Sequence, residues 1–285
     1  MEALYELDVP SYCDTAVGRA KHTFHMVPAH EHLNTWVSDE PTTLEQLDNM
    51  VDNNSLPSAY YQHPIVQGHA DNAWPVGLFI DGVPYSNTDS VIGFWLICEV
   101  TKRRCLLAAL WKKLCCMCGC RGWCTYYAIF SFLFWCFDMM EKAVMPCGRH
   151  DNKPWLPSDY QRARSANKPL PRRALLLWVK GDWSEYSNTL GVPTWGDGMR
   201  PCFACNCNLE TMYEQSDISA VTLPWRANNE GDYDNACSMC EIVVIIDAHT
   251  HKILLDALQY DRRAHGNKGR CLVAAVPSLC LNVGD

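Results

Sequence analysis

Hydrophobic and polar positions change rhythm along this chain, and the changes mark its elements. Val76–Val83 is a short apolar run interrupted only by Asp81 and glycine, the composition of a buried strand. Tyr85–Ser90 is polar, with Asn87 and Asp89 as turn formers. Val91–Ile97 reads as a second strand continuing towards Val100, and Thr101–Arg104 as a tight polar turn. Cys105–Trp111 reads as a third strand, although its leucines and alanines also suit a helix. Connections this short favour an antiparallel meander. Thr125–Phe137 is an uninterrupted apolar stretch of 13 residues, short of the ~20 that span a bilayer. Asp138, Glu141 and Lys142 follow at once, so it reads as a buried amphipathic helix, with no membrane partner. Ala174–Asp182 is a fourth strand, and it too ends in an aspartate.

Outside these runs the pattern is weaker. Residues 1–60 are rich in His, Asn, Asp, Ser, Thr and Pro and show little periodicity. They read as a poorly structured acidic lead-in, apart from a short helix at Thr42–Val51 capped by Thr42 or Thr43. Residues 146–173 are a loop rich in proline and cations, with a turn of helix near Ser158–Ser165. Trp183–Leu190 reads as a helix stopped by Gly191 and Pro193, Glu241–Asp247 as a fifth strand, and Ala248–Tyr260 as an amphipathic helix. The expected architecture is α/β. It is a ribonuclease-H-like mixed sheet over residues 61–285, made of an antiparallel three-strand meander, a helix and further strands. Cysteine-rich insertions at 115–124 and 202–240 decorate it.

Charge adds an asymmetry to this picture. Residues 1–100 hold 14 acidic and 2 basic side chains, and residues 101–180 hold 4 acidic and 15 basic. A basic middle can meet a polyanion such as DNA through the region 102–180. It can equally be covered by the acidic N-terminal region of the same chain. The N-terminus carries no signal-peptide pattern, so the 17 cysteines point to an intracellular, reducing compartment in which thiols bind metal or fill cores.

The two strand-end aspartates are the candidate chemistry. Neighbouring strands lie about 4.8 Å apart, close enough for Asp81 and Asp182 to serve one pair of divalent ions. Mg²⁺ or Mn²⁺ would be held by such hard carboxylate oxygens. The plainer alternative makes Asp81-Gly82 a turn dipeptide, and Asp182 a helix N-cap whose capping-box partner is Glu185. A third acid is not evident. Asp256 and Asp261 are weak candidates.

Cys202, Cys205, Cys237 and Cys240 form two CxxC knuckles, the donor set of a closed tetrahedral Zn²⁺ site; Cys207 is a possible substitute. Cys118, Cys120 and Cys124 make a tighter cluster just after Cys115 and Cys116. With Cys147 or His150 as a fourth ligand, it would hold a second structural zinc. Neither set has the His-Glu arrangement of a zinc hydrolase.

Several stretches resemble a large family of uncharacterised proteins from algal protists. They are Asp81–Tyr85, Thr88–Trp95, Cys118–Thr125, Lys180–Tyr186 and Arg200–Asn206. More distantly, Asp81-Gly82, Gly181-Asp182 and the Pro201–Cys205 step are similar to the acidic strand ends and cysteine step of CACTA-type DDE transposases. That resemblance implies DNA strand cleavage and transfer, a divalent metal, a nuclear location, and a fold that continues past Asp285, so that this chain is an incomplete or degenerate copy. The rival expectation is a non-catalytic, zinc-stabilised binding or assembly module.

Overall fold

A computed structural model describes residues 4–13, 18–39, 42–87, 89–117 and 122–182, with single positions at 189, 207, 208 and 210. The elements below belong to one compact unit that takes in Met1–Gly181. In chain order they are strands β1 (Tyr5–Cys13) and β2 (Gly18–Met26), helices α1 (Ala29–Asp39), α2 (Thr42–Asp52), α3 (Ser58–Gln62) and α4 (Pro64–Gly68), and strands β3 (Trp74–Pro84), β4 (Ser90–Cys98) and β5 (Arg104–Trp111). Helix α5 (Trp123–Lys142), helix α6 (Tyr160–Ser165) and strand β6 (Ala174–Lys180) follow.

Strands β3, β4 and β5 form the expected antiparallel meander, and β6 pairs with β3 in parallel, giving the order β5-β4-β3-β6. The fold class is therefore mixed α/β around a four-stranded mixed sheet. Cys105–Trp111 is a strand despite its leucines and alanines, because ladder pairing with β4 outweighs local propensity. The alternation of β3 separates two faces. Val76, Leu78 and Ile80 are buried on one, where α5 lies and Phe94 meets Phe130 edge-on at 6.0 Å. Gly77, Phe79 and Asp81 belong to the other.

Helix α5 is the apolar helix that the Thr125–Phe137 run predicts. Its buried positions Tyr126, Ile129, Phe132, Leu133, Cys136, Phe137 and Met140 recur at helical spacing. Gly122, in the left-handed region at φ 84°, turns the chain into it. Ala143, also left-handed, ends it with its N–H donating to the carbonyls of Met139 and Met140. No helix among the described residues is long and apolar enough to cross a membrane.

The lead-in expected at residues 1–60 is the main correction. Strands β1 and β2 form a two-stranded antiparallel sheet and α1 and α2 follow. Tyr5, Leu7 and Val9 alternate with Glu6 and Asp8, and they are buried together with Phe24 and Met26. This period-2 pattern is a half-buried strand; the polar partners on its outer face hide it in any composition average. The sheet is seated against α5, with the Tyr5 ring 4.7 Å from Phe132. The Thr125 hydroxyl donates to the Pro10 carbonyl and accepts the Cys116 N–H.

Helices α2 to α4 cover the start of the other sheet face. Leu47, Leu56 and Tyr60 pack with Ala73, Leu175 and Leu177, and the Tyr60 hydroxyl donates to the Ala73 carbonyl at 2.8 Å. The far end of that face, beyond Phe79, carries the candidate chemistry.

Candidate functional site

Asp81 lies inside β3, opposite Gly93 of β4, and three residues before the strand ends at Pro84. It is not a turn residue. The turn falls at Tyr85–Asp89, where Asp89 accepts from the Tyr85 hydroxyl and from the Ser90 N–H. The Asp81 carboxylate is half-buried. No hydrogen bond or ion pair engages it among the described residues.

The surroundings of Asp81 follow from two strand glycines. A Cβ on Gly93 would stand 2.0 Å from the Trp95 ring, so the indole lies flat over Gly93, next to Asp81. Phe79 packs against Trp95 with centroids 5.6 Å apart, and the Arg104 guanidinium lies over Phe79 at 5.8 Å. Lower on the same face, a Cβ on Gly77 would stand 2.9 Å from both the Glu99 carboxylate and the Trp178 ring. Isolated glycines inside strand patterns mark close approaches of this kind, and that signal was present in the sequence.

Glu99 is the residue that sequence reasoning missed on this face. Its side chain is 3% exposed, and it accepts from Trp178 Nε1 at 2.6 Å and from Lys180 Nζ and Lys102 Nζ at 2.9 Å each. Burial would raise its pKa, but these three donors outweigh burial and hold it below the usual carboxylate range. A carboxylate so saturated has little left for a metal ion. Glu99 is a structural acid, and it ties Lys180 along the Trp178 ring, 4.3 Å from its centroid.

Strand β6 runs beside β3 in parallel with Phe79 level with Lys180. Asp81 and Asp182 therefore each follow a registered pair by two residues. Asp182 is exposed, lies beyond the end of β6 and begins the second compact unit.

The cysteine sets are described only in part. Cys202, Cys205, Cys237, Cys240, Cys118 and Cys120 lie outside the described residues. Cys124 sits in the first turn of α5. Cys115 is buried and donates to the Tyr126 hydroxyl. His150, a possible fourth zinc ligand by sequence, shares a 2.7 Å hydrogen bond with the Tyr5 hydroxyl through Nδ1. Its ring packs edge-on to Phe132 and Trp135. Among the described residues no three His, Cys, Asp or Glu side chains converge as a metal cage.

The basic middle of the chain is largely matched internally. Arg103 pairs with Asp39, Arg172 with Asp48, Arg173 with Asp71 and Arg162 with Glu31. The acidic N-terminal region thus supplies partners for much of the charge that could have met DNA. Arg104, Arg164 and Lys168 have no acidic partner among the described residues.

No family model, curated protein or solved structure matches this chain.

Proposed function

We propose that this chain is a transposase-like core with a ribonuclease-H-like fold that cleaves and transfers DNA strands with a divalent metal, as an incomplete or degenerate copy. The observation that carries this reading is the strand order. An antiparallel meander β3-β4-β5, then a helix, then β6 returning parallel on the far side of β3, is the order that such a core requires. Asp81, inside β3, and Asp182, just past the end of the parallel strand β6, are the acids assigned to Mg²⁺ or Mn²⁺.

The residues present suit that metal. Asp81 offers hard oxygen donors, half-exposed and unengaged among the described residues, and the Trp95 ring that covers the opposite Gly93 brings no competing carboxylate or ammonium. When bound, a pair of such ions activates the attacking oxygen and stabilises the leaving one. The chain's own contribution is to hold the Asp81 carboxylate on the sheet and to keep Lys180 occupied with Glu99, so that no ammonium neutralises Asp81. The third acid is not assigned, and Glu99 does not qualify. Structural zinc at the knuckles Cys202/Cys205 and Cys237/Cys240, with a second ion at Cys118, Cys120 and Cys124, belongs to the same reading. So does a nuclear location.

The alternative, a zinc-stabilised binding or assembly module without chemistry, makes Asp81 a turn residue and Asp182 a helix cap. The position of Asp81 inside β3 counts against the first of these. The test is DNA nicking by the purified chain in Mn²⁺ and in Mg²⁺, compared with Asp81→Asn and Asp182→Asn. Loss of at least about a hundredfold in either variant is expected, because each would remove a ligand of the metal pair. Metal-dependent nicking unchanged in both variants, or absent from the parent chain, would end the catalytic reading.

A further inference from the structure

The face of the sheet that carries Asp81 continues across β4 onto the edge strand β5, and its outer part is open. Level with Phe79 are Trp95 and Leu106; level with Asp81 are Gly93 and Ala109; level with Val83 are Val91 and Trp111. Leu106 is 47% exposed, Trp111 49% and Val83 50%. In the middle row Gly93 and Ala109 are small, and the Trp95 indole fills the space over Gly93, next to Asp81.

Cations accompany these rings. Lys113 Nζ stands 4.7 Å from the Trp111 ring centroid, and Arg104 covers Phe79. Residues 102–113 hold five basic side chains and no acid. Lys113 is loosely matched by Asp89 at 3.9 Å, whereas Arg104 has no acidic partner among the described residues. Beyond the β5 edge the surface dips into an open groove of about 270 Å³ lined by His22, Phe24, His25, Ala109, Trp111 and Leu114. That is below the ~300–1,000 Å³ of ordinary small-molecule pockets, and it suits one flat ring better than a whole metabolite.

An exposed ring at Trp111 and half-buried rings at Phe79 and Trp95, with cations over Trp111 and Phe79, form a stacking platform for unpaired bases. A duplex keeps its rings inside and offers none to such a surface. We propose that this face binds single-stranded DNA. A base stacks at Trp111 in the groove by β2, phosphates meet Arg104 and Lys113, and the strand runs from the β5 edge over Ala109 and the Trp95 indole towards Asp81. The choice of DNA rests on the strand-cleavage reading above; the stacking geometry does not.

The test is equilibrium binding of the full chain to a fluorescein-labelled oligo-dT strand of about 15 nucleotides, near the upper site size of such platforms. Mg²⁺ and Mn²⁺ are omitted so that no cleavage occurs, and no chelator is added, so that any structural zinc stays bound. Oligo-dT should bind more tightly than a duplex of equal length, Trp111→Ala should weaken it about tenfold, and Trp111→Phe should restore most of that. Arg104→Gln, a surface change, provides a second variant whose folding is not in question, and it should weaken binding and flatten the salt dependence. Parent-like binding by both Trp111→Ala and Arg104→Gln, a preference for duplex, or binding of oligo-U but not oligo-dT would overturn the proposal. Asp81→Asn separates the two readings. If it keeps oligo-dT binding while no form of the chain nicks DNA, strand cleavage fails and the binding face stands. If nicking depends on Asp81 but Trp111 is irrelevant to binding, the reverse holds.

Discussion

Glu31, Asp159 and Asp81 are all carboxylates on well-packed elements, yet the molecule treats them in opposite ways. Glu31 on α1 receives Arg162 Nε at 2.6 Å and Nη2 at 3.1 Å. Asp159 receives Arg162 Nη1 and Arg149 Nη1 at 2.8 Å each. Both guanidinium groups lie over the Tyr5 ring, at 5.5 and 4.4 Å. All four carboxylate oxygens are used, and the group joins β1, α1 and the segment around α6, with Glu31 and Arg162 131 residues apart. Asp81, on the open sheet face, is engaged by nothing among the described residues. The difference shows what a carboxylate is for. One that is buried and fully paired holds segments together, and removing its partner leaves a stranded charge. One that is half-exposed and unpaired adds little to stability and remains available to a ligand.

The largest expected effect comes from breaking the buried group. Arg162→Met removes the guanidinium from both oxygens of Glu31 and from one oxygen of Asp159, and loss of one partner of a buried pair costs about 3–5 kcal/mol. Asp81→Asn should change stability by no more than about 0.5 kcal/mol. Urea unfolding followed by tryptophan fluorescence compares the two. Equal small effects would abolish the distinction between structural and available acids.

The second effect sharpens the comparison through pH. His30, beside Glu31 on α1, is 1% exposed, its Nδ1 has no hydrogen-bond partner among the described residues, and its ring stands edge-on to Trp135 at 5.1 Å. Burial, helped by Arg162, pushes its pKa down to about 3. The folded value lies below the unfolded value near 6.5. The neutral ring's contribution is therefore complete above about pH 6.5 and is lost as pH falls from there towards 3. The slope contributed is at most about 1.4 kcal/mol per pH unit. His30→Leu should flatten the fall in urea stability between pH 7 and about pH 4.5 by roughly 2–3 kcal/mol on that slope. An unchanged slope would mean that the ring titrates freely.

Much of this comparison could be read before the structure, and part could not. The meander, α5 and β6 announce themselves because their apolar runs are long and their periods clear, and Asp81 stands out because it interrupts one of them. The β1–β2 sheet escapes notice because Glu6, Asp8, Lys21 and Thr23 face outward and dilute the Tyr5, Leu7, Val9 alternation. The Arg162–Glu31 pair has no sequence signal, since nothing local ties residues 131 apart. Glu99 follows an apolar strand and has no motif around it, although Gly77 marks the close approach that its carboxylate makes. The charge asymmetry was visible, and its resolution into pairs such as Arg103–Asp39 and Arg173–Asp71 is the internal match that the acidic N-terminal region allowed.

The smallest effect isolates burial from pairing itself. Asp138 and Lys142 on α5 are joined at 2.7 Å, a distance as short as those in the buried group, but their side chains are 31% and 58% exposed. They stand one turn apart with the acid nearer the helix N-terminus, the favourable orientation for such a pair. If proximity of charges were what mattered, a double-mutant cycle on Asp138→Ala and Lys142→Ala would give a coupling comparable to the Arg162 change. Water and counterions screen the pair, so the expected coupling is about 0.3–0.5 kcal/mol. In 1 M salt, where screening acts over roughly 3 Å, it should fall towards zero while the Arg162→Met penalty persists. A coupling above about 1 kcal/mol would show that exposed pairs also anchor this fold, and burial would no longer explain why Glu31 and Asp159 are structural and Asp81 is not.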